Sequence, residues 1–290
     1  MANFDKFDRN WDTDFFLIKA TVDKISMEEN YLEKVCPNFM EENFDIKKSR
    51  KDPDKISLEL YVNLAKLLFP NEKAFPNGNK FKAEVVKNKN VCTIDLKVDI
   101  CDKNGLDKTI GLGSDFIGPS TSLAINAKVD DKCIKKSLKT TRSIGGHMVW
   151  PRYSTKCKRH TINQARGCGI YDRFDLTLFH LEKWYDNKPC LPRLKKVFCF
   201  NAEWLNLFVD FERFVNFFHL NSFVFEDNNE NITGIRDLTC RWCDNQVLSD
   251  GTAYIPKAKE EYIIYMKSNE KAIKERNKAI EKSIKSCNKK

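Results

Sequence analysis

A run of large apolar side chains between residues 204 and 218 constrains the fold of this chain more than any other feature. Its members recur every three or four positions, which is the spacing of one face of an α-helix. They are Trp204, Leu207, Phe208, Phe211, Phe214, Val215 and Phe218. Because so many aromatic groups must be removed from water together, we predict a helix over this stretch at the centre of a hydrophobic core.

A strict alternation of apolar and polar side chains marks residues 91–100 as the strongest strand in the sequence. This period of two is typical of an antiparallel strand with one buried face. Residues 81–86 are predicted to form its hairpin partner, and a short amphipathic helix that stops before Pro70 lies upstream. The apolar positions of the main strand are Cys92, Ile94, Leu96, Val98 and Ile100.

These patterns predict an α+β protein, with an N-terminal strand-containing portion and a helix-rich C-terminal portion that ends in a long basic helix. We divide the chain into an N-terminal α+β portion (1–110), a mixed, helix-rich core (111–255) and a long charged C-terminal helix (256–290). At about 100–200 residues per domain, these 290 residues form one large domain or two modest ones.

The C-terminal helix carries most of the excess positive charge and only a thin apolar stripe. The chain has 50 Lys and Arg against 41 Asp and Glu, and residues 257–290 hold 11 of the basic and 5 of the acidic groups. Apolar residues spaced by seven form half of a coiled-coil seam, so this helix lies either on the body of the protein or on a second subunit. A solvated charged face is the simpler interpretation of the rest. The candidate partner contacts are Met266, Ile273, Ile280, Lys274 and Lys278.

The cysteine pattern and the N-terminal segment bear on the compartment. The 11 cysteines are odd in number and irregularly spaced, which is unlike the framework of a secreted disulfide protein. The segment 1–14 is polar, and no run reaches the roughly 18 apolar residues of a membrane span. We therefore expect a cytoplasmic protein (in the host cytoplasm if the chain is phage-encoded) with reduced thiols and no contact with a membrane.

Cys240 and Cys243 form the only C-x-x-C pair in the chain. One such pair supplies two of the four ligands of a structural zinc ion. Because no second pair with similar spacing is present, two buried free thiols are the favoured interpretation and zinc is the alternative. No cofactor is predicted, since the sequence contains neither a Walker loop nor a dinucleotide-binding fingerprint.

The densest polar cluster lies between His147 and Asp175. Its histidines could act as a general base and its arginines could hold anions. The same groups could instead pair with each other and fix a loop to the start of a helix, which Asp172 is predicted to cap. We favour the structural or binding role, because no nucleophile is paired with a base. The catalytic candidates are His147, His160, Arg166, Asp172 and Asp175, and Arg152, Thr161, Asn163, Gln164 and Arg173 complete the cluster.

Glu84 on the first strand of the hairpin, with Asp95 and Lys97 on the second, resembles the acid…Asp-x-Lys arrangement of a large nuclease superfamily. In that chemistry two acids hold Mg²⁺ and the lysine positions the attacking water. The motif is short enough to arise repeatedly by chance in so charged a chain, and its side chains would lie on the solvent face of the strand.

Several blocks resemble, in order, an uncharacterised family of bacterial and phage proteins. The blocks are 114–120 (SDFIGPS), 144–152 (IGGHMVWPR), 161–167 (TINQARG) and 172–178 (DRFDLTL). The resemblance covers roughly residues 111–285, including the aromatic stretch and the C-terminal helix. It implies no catalytic residue, because the family has no assigned enzymatic activity.

The leading hypothesis is a non-enzymatic interaction protein that forms a homo-oligomer and binds a host protein complex. By analogy of class with the phage Gabija anti-defence protein, the narrower hypothesis is a phage-encoded inhibitor of a Gabija-type nuclease/ATPase defence complex. The alternative is a nucleic-acid- or nucleotide-processing enzyme that uses the cluster between His147 and Asp175. A third hypothesis is weak, non-specific contact between nucleic acid and the basic C-terminal helix.

Overall fold

A five-stranded antiparallel sheet forms one layer of the fold. Strands that are neighbours along the chain are also neighbours in the sheet, in the order β1-β2-β3-β4-β5. They are β1 (Ile18–Lys19), β2 (Phe81–Asn88), β3 (Val91–Cys101), β4 (Asp107–Phe116) and β5 (His147–Pro151). The computed structural model describes residues 18–19, 58–69, 74–88, 91–101, 107–152, 161–240 and 247–287.

The hairpin of β2 and β3 confirms the alternating pattern of the sequence. The two strands pair in register from Phe81 opposite Val98 to Asn88 opposite Val91. Every second side chain of β3, from position 92 to position 98, is fully buried, whereas Lys97 is exposed. One face of the hairpin therefore contributes to the core and the other carries charge, as the period of two predicts.

Helices make up most of the chain after β5, as the α+β prediction requires. The described α-helices, three before β5 and six after it, are α1 (Leu58–Leu68), α2 (Thr121–Asn126), α3 (Asp131–Thr141), α4 (Ile162–Ile170), α5 (Phe174–Tyr185), α6 (Pro192–Phe200), α7 (Ala202–Leu205), α8 (Phe211–Phe217) and α9 (Lys259–Cys287). A small second sheet pairs β6 (Val224–Glu226) with β7 (Ile232–Ile235). Among the described helices, none combines the length and the apolar character that crossing a bilayer requires.

The aromatic stretch at residues 204–218 lies in the core, as predicted, but it is not one helix. A short 3-10 turn and Val209 separate α7 from α8. Val209 has φ 71° and ψ −56°, and the backbone N–H of Asp210 donates to the carbonyl oxygen of Phe208 at 2.9 Å. This closes a γ-turn, so the prediction of a continuous helix is wrong at this point.

The break folds the two halves of the aromatic stretch against each other. The ring centroids of Phe208 and Phe218 lie 5.1 Å apart, whereas ten residues of straight helix would separate them by about 15 Å along the axis. Asp210 begins the second half, because its carboxylate accepts a hydrogen bond from the backbone N–H of Arg213 at 2.8 Å. This N-cap is a signal in the sequence that the apolar periodicity obscured.

The charged C-terminal helix is α9, and its apolar stripe packs against the body of the same chain. Met266, Ile273 and Ile280 are all buried, so the structure shows the first of the two placements that the sequence left open. The predicted boundary after residue 110 falls inside β4, and the sheet and one continuous core extend across it.

Candidate functional site

The polar cluster forms where α4 and α5 meet at a tight turn. α4 begins with a capping box in which the hydroxyl of Thr161 and the side chain of Gln164 each accept a hydrogen bond from the other's backbone N–H. Tyr171 and Asp172 then adopt left-handed conformations, with φ of 55° and 58°. Arg173 occupies the N-cap position of α5, so the predicted cap at Asp172 is wrong, because a capping residue needs extended backbone.

Arg166 is 0 % exposed and uses each of its three guanidinium nitrogens inside the protein. Nε donates to the hydroxyl of Thr177 on α5 at 2.8 Å, and Nη2 donates to the carbonyl of Asp172 at 3.0 Å. Nη1 pairs with the carboxylate of Asp115 on β4 and donates to the Asn163 side chain at 3.2 Å. Arg166 therefore ties the sheet to both helices and has no exposed surface to offer a ligand.

Arg173 is also buried and forms a two-pronged ion pair with Asp175. Nε donates to Oδ1 of that carboxylate at 3.0 Å, and Nη2 donates to Oδ2. Nη2 also reaches Oδ1 of Asp237 at 3.0 Å, while Nη1 donates to the carbonyl of Tyr254 at 2.9 Å. Asp175 in turn accepts from the backbone N–H of Leu238 at 2.9 Å, which fixes α5 to a segment more than 60 residues away.

Five charged side chains, here called the Arg–Asp network, form two ion-paired groups that are joined through Thr177, whose hydroxyl accepts from Nε of Arg166 and donates to the backbone carbonyl of Arg173. Burial opposes the positive charge of Arg173, but the charge of Asp175 and the hydrogen bond to it outweigh this effect and raise the pKa of Arg173. An arginine with a raised pKa keeps its proton, so the guanidinium of Arg173 joins segments of the chain and does not act as a general acid. The members are Asp115, Arg166, Arg173, Asp175 and Asp237.

A serine lies beside His147, which the sequence did not reveal. Oγ of Ser114 is 3.2 Å from Nδ1 of His147, and the backbone N–H of Ser114 donates to the hydroxyl of Tyr61 at 2.8 Å. A serine next to a histidine is the arrangement in which a base activates a nucleophile. Here His147 is fully buried and Ser114 nearly so, which leaves no open side for a substrate. The two are diagonal neighbours across β4 and β5, a relation that only the strand register provides.

The Gly-Gly-His block receives the C-terminal helix. Arg276 on α9 is 1 % exposed, and its Nη1 donates to the carbonyls of Gly145 at 2.8 Å and His147 at 2.7 Å. Its Nε donates to the carbonyl of Phe218 at 3.1 Å. Next to it, the side chain of Asn277 accepts from the N–H of Gly145 at 2.8 Å. A Cβ at Gly145 would lie 2.5 Å from Oδ1 of Asn277, so only glycine leaves room there.

Arg276 and Asn277, here called the latch, bury a positive charge among backbone dipoles. Among the described residues, no carboxylate pairs with Arg276. Burial therefore lowers the pKa of Arg276 to about 9, the opposite of the direction for Arg173. The latch explains Gly145 as part of a docking site for α9.

The cysteine candidates and the second histidine are not assembled into a site within the described chain. His160 and Cys243 lie outside the described residues. The sulfur of Cys240 is 2.9 Å from the hydroxyl of Ser268 on α9. Over the ranges that the structure describes, no three His, Cys, Asp or Glu side chains are grouped as a metal site requires. Two buried free thiols and, as the alternative, zinc binding at the C-x-x-C pair both stay untested predictions, because Cys243 lies outside the described residues.

The nuclease-like motif is placed as its spacing suggests, on two adjacent strands. Glu84 on β2 lies directly opposite Asp95 on β3, and Nζ of Lys97 is 3.6 Å from Oε1 of Glu84. Burial raises the pKa of Asp95, and the negative charge of Glu84 adds to this effect. Two acids and a lysine share one face of the sheet, but the described residues supply no third ligand for a metal.

The residues named as partner contacts separate onto two sides of α9. Met266, Ile273 and Ile280 are buried within this chain and have little surface to offer a second one. The other two candidates, Lys274 and Lys278, belong to a line of exposed lysines on the opposite side of the helix. Each lysine of this line is three or four positions from the next. They are Lys267, Lys271, Lys274, Lys278 and Lys282. This helical spacing of lysines can be recognised in the sequence itself.

A family model matches residues 40–280, under the description of a family of unknown function, DUF6994. The chain belongs to this family. The DUF6994 match confirms the expectation of an uncharacterised family, and it begins upstream of the blocks at 111–285, so it includes β2 and β3. No curated protein and no solved structure matches the chain.

Proposed function

We propose that this DUF6994 protein is a non-enzymatic interaction protein, which binds a partner through its surface and transforms no substrate. The observation that carries the proposal is the burial of the Arg–Asp network, in which Arg166, Arg173 and Asp175 are at most 1 % exposed. A catalytic acid or base must come within hydrogen-bond reach of its substrate. The hydrogen bonds of these side chains go instead to other segments of the same chain.

The buried network and the latch support the proposal in a second way. The network joins β4, α4 and α5 to Asp237 and Tyr254, and the latch holds α9 against the turn before β5. A surface held in a fixed shape loses less conformational entropy when a partner binds, which favours affinity.

A search for turnover tests the proposal. The purified protein is incubated with Mg²⁺, single- and double-stranded nucleic acids and nucleoside triphosphates, and the products are separated by chromatography. We expect the substrates to be unchanged. Turnover that is lost in Asp115→Asn but kept in Asp186→Asn, with both circular dichroism spectra unchanged, would contradict the proposal. Asp115 is the network carboxylate nearest to solvent, with 19 % of its side chain exposed, and Asp186 is an exposed control.

The narrower proposal is that a homo-oligomer of this chain binds a host protein complex, a Gabija-type nuclease/ATPase of bacterial anti-phage defence, and blocks it. Support for this narrower form comes from the resemblance to bacterial and phage proteins and from the analogy of class alone. Cells that carry such a defence are infected with and without expression of the chain, and we expect expression to restore phage plating. Unchanged plating, with the protein present in the cells, would contradict the narrower form and leave the general one standing. A monomeric mass by light scattering would contradict the oligomer.

A further inference from the structure

α3 and α9 lie side by side and run in the same direction. Nζ of Lys259, the first residue of α9, is 2.8 Å from the carboxylate of Asp130, which immediately precedes α3. Further along α9, the side chain of Asn277 donates to the hydroxyl of Ser143, just after α3 ends, at 2.6 Å. These two contacts fix both ends of α3 against α9.

Both helices turn lysines toward solvent and apolar groups toward the core. Ile134 and Leu138 of α3 are buried, as are Met266 and Ile273 of α9. The line of lysines on α9 is about 22 Å long, because a helix rises about 1.5 Å per residue. The lysines of the two helices whose side chains are described and exposed, here called the lysine face, are Lys132, Lys136, Lys267, Lys271, Lys274, Lys278 and Lys282.

The charge of the lysine face is not neutralised by ion pairs. None of its ammonium groups pairs with another residue in the described part of the chain. Glu275 and Glu281 are exposed beside the line on α9 and reduce its net charge without breaking the line. Between residues 267 and 282 every exposed side chain of α9 is charged, so the face has no apolar centre.

We propose that the lysine face binds the phosphate backbone of double-stranded nucleic acid without sequence preference, an inference that rests on the proposed function because it names a partner for a chain that binds. Lysine is depleted in protein–protein interfaces, whose energetic centres are aromatic or arginine side chains. Phosphate oxygens, in contrast, are contacted largely by lysine and arginine. The line on α9 would follow about six base pairs at a rise of about 3.4 Å each.

Two other polyanions fit the lysine face less well. A helix that binds a membrane surface inserts an apolar face into the bilayer, and the apolar face of α9 is already buried in the core. A single-stranded nucleic acid is held largely by bases stacked on exposed aromatic rings, and the lysine face has none.

Fluorescence anisotropy with a labelled duplex DNA of about 20 base pairs tests the inference on the full chain between about 50 and 200 mM salt. We expect binding that weakens steeply as salt rises. In the variant Lys271→Gln, Lys274→Gln, Lys278→Gln, the slope of log Kd against log salt should fall by about 3, and Kd at the lowest salt should rise at least about tenfold. The control carries Lys80→Gln, Lys195→Gln and Lys196→Gln, which remove the same charge from exposed positions outside α3 and α9.

Each outcome supports or overturns the inference. Absence of duplex binding at the lowest salt would overturn it, as would an equal loss in the control variant. Binding of phosphatidylserine vesicles but not of duplex DNA would replace nucleic acid with a membrane surface. The DNA recovered from each mixture is run on a denaturing gel. Cleavage would contradict the non-enzymatic function and leave the binding inference standing. Intact DNA without detectable binding would overturn the binding inference and leave the non-enzymatic function standing.

Discussion

Arg173 and Arg276 are both buried, but the protein stabilises their charges by opposite means. Arg173 faces the carboxylates of Asp175 and Asp237, and the pKa of Arg173 is raised. The hydrogen bonds of Arg276 go to backbone carbonyls, and burial lowers its pKa to about 9. The two sites are therefore expected to respond differently when the arginine is removed. Removing Arg173 leaves two carboxylates in the core without their cation, whereas removing Arg276 leaves uncharged carbonyl oxygens without a hydrogen-bond donor.

The largest effect is expected for Arg173→Ala. This change leaves Asp175 and Asp237 without their cation, and breaking a buried ion pair costs about 3–5 kcal/mol of unfolding free energy. Urea unfolding measures the loss. Arg193→Ala, at an exposed position on α6, is the control and should stay within about 0.5 kcal/mol of the parent. Equal losses of unfolding free energy for Arg173→Ala and Arg193→Ala would show that the ion pairs of Arg173 do not stabilise the fold.

A smaller loss is expected for Arg276→Met. Methionine fills much of the same space and carries no charge, so the cost is that of carbonyls without a donor, about 1–3 kcal/mol. The same urea titration compares it directly with Arg173→Ala. If Arg276→Met proved the more damaging of the two, carboxylate pairing would not be what distinguishes the two sites.

The latch can also be tested from its glycine side. Gly145→Ala forces a methyl group against the side chain of Asn277, and overpacking of this kind costs about 1–3 kcal/mol. Gly169→Ala in α4 is the matched control, because nothing lies within 4 Å of its added Cβ and alanine favours the helix. Adding Asn277→Ala should relieve part of the clash, and thermal unfolding of all the variants measures this. A loss that is unchanged in the double variant would contradict the contact.

The smallest expected effect is a pH dependence of the unfolding free energy, which arises from Arg276 and not from Arg173. Burial lowers the pKa of Arg276 to about 9 in the folded state, far below its pKa in the unfolded chain, so above pH 9 the unfolded chain binds more protons. Stability relative to Arg276→Met should therefore rise with pH above 9, by at most about 1.4 kcal/mol per pH unit. Urea titrations of both proteins at several values between pH 8 and pH 10 give this difference. A difference that stayed flat or fell would contradict it.

Local pattern predicted much of the fold. The β2–β3 hairpin, the helix that stops before Pro70 and the long helix α9 follow from periodicities that depend only on backbone geometry. The break at Val209 does not follow from local pattern, because both halves of the aromatic stretch share one apolar spacing. The turn at Val209 is stabilised by contacts between rings of the two halves, such as Phe208 and Phe218.

The sequence indicated several residues of the candidate site but not the contacts that they make. The charged groups of the cluster are close in sequence, and Arg166, Arg173 and Asp175 do lie in one network. Asp237 and Ser114 were missed, since each reaches the cluster from a distant part of the chain. Nothing near Arg276 in the sequence indicates the three carbonyl oxygens that accept its hydrogen bonds.

By itself, the order of residues determined which side chains leave water, because burial follows the repeat of a helix or a strand within a few residues. Whether a buried charge meets a carboxylate, as Arg173 does, or a carbonyl, as Arg276 does, follows instead from how distant segments pack in the folded chain. The physical reason is range. Hydrophobic patterning acts between neighbours along the chain, whereas the partners of a buried charge are set by packing between segments that can be more than 100 residues apart, as Arg276 and Gly145 are.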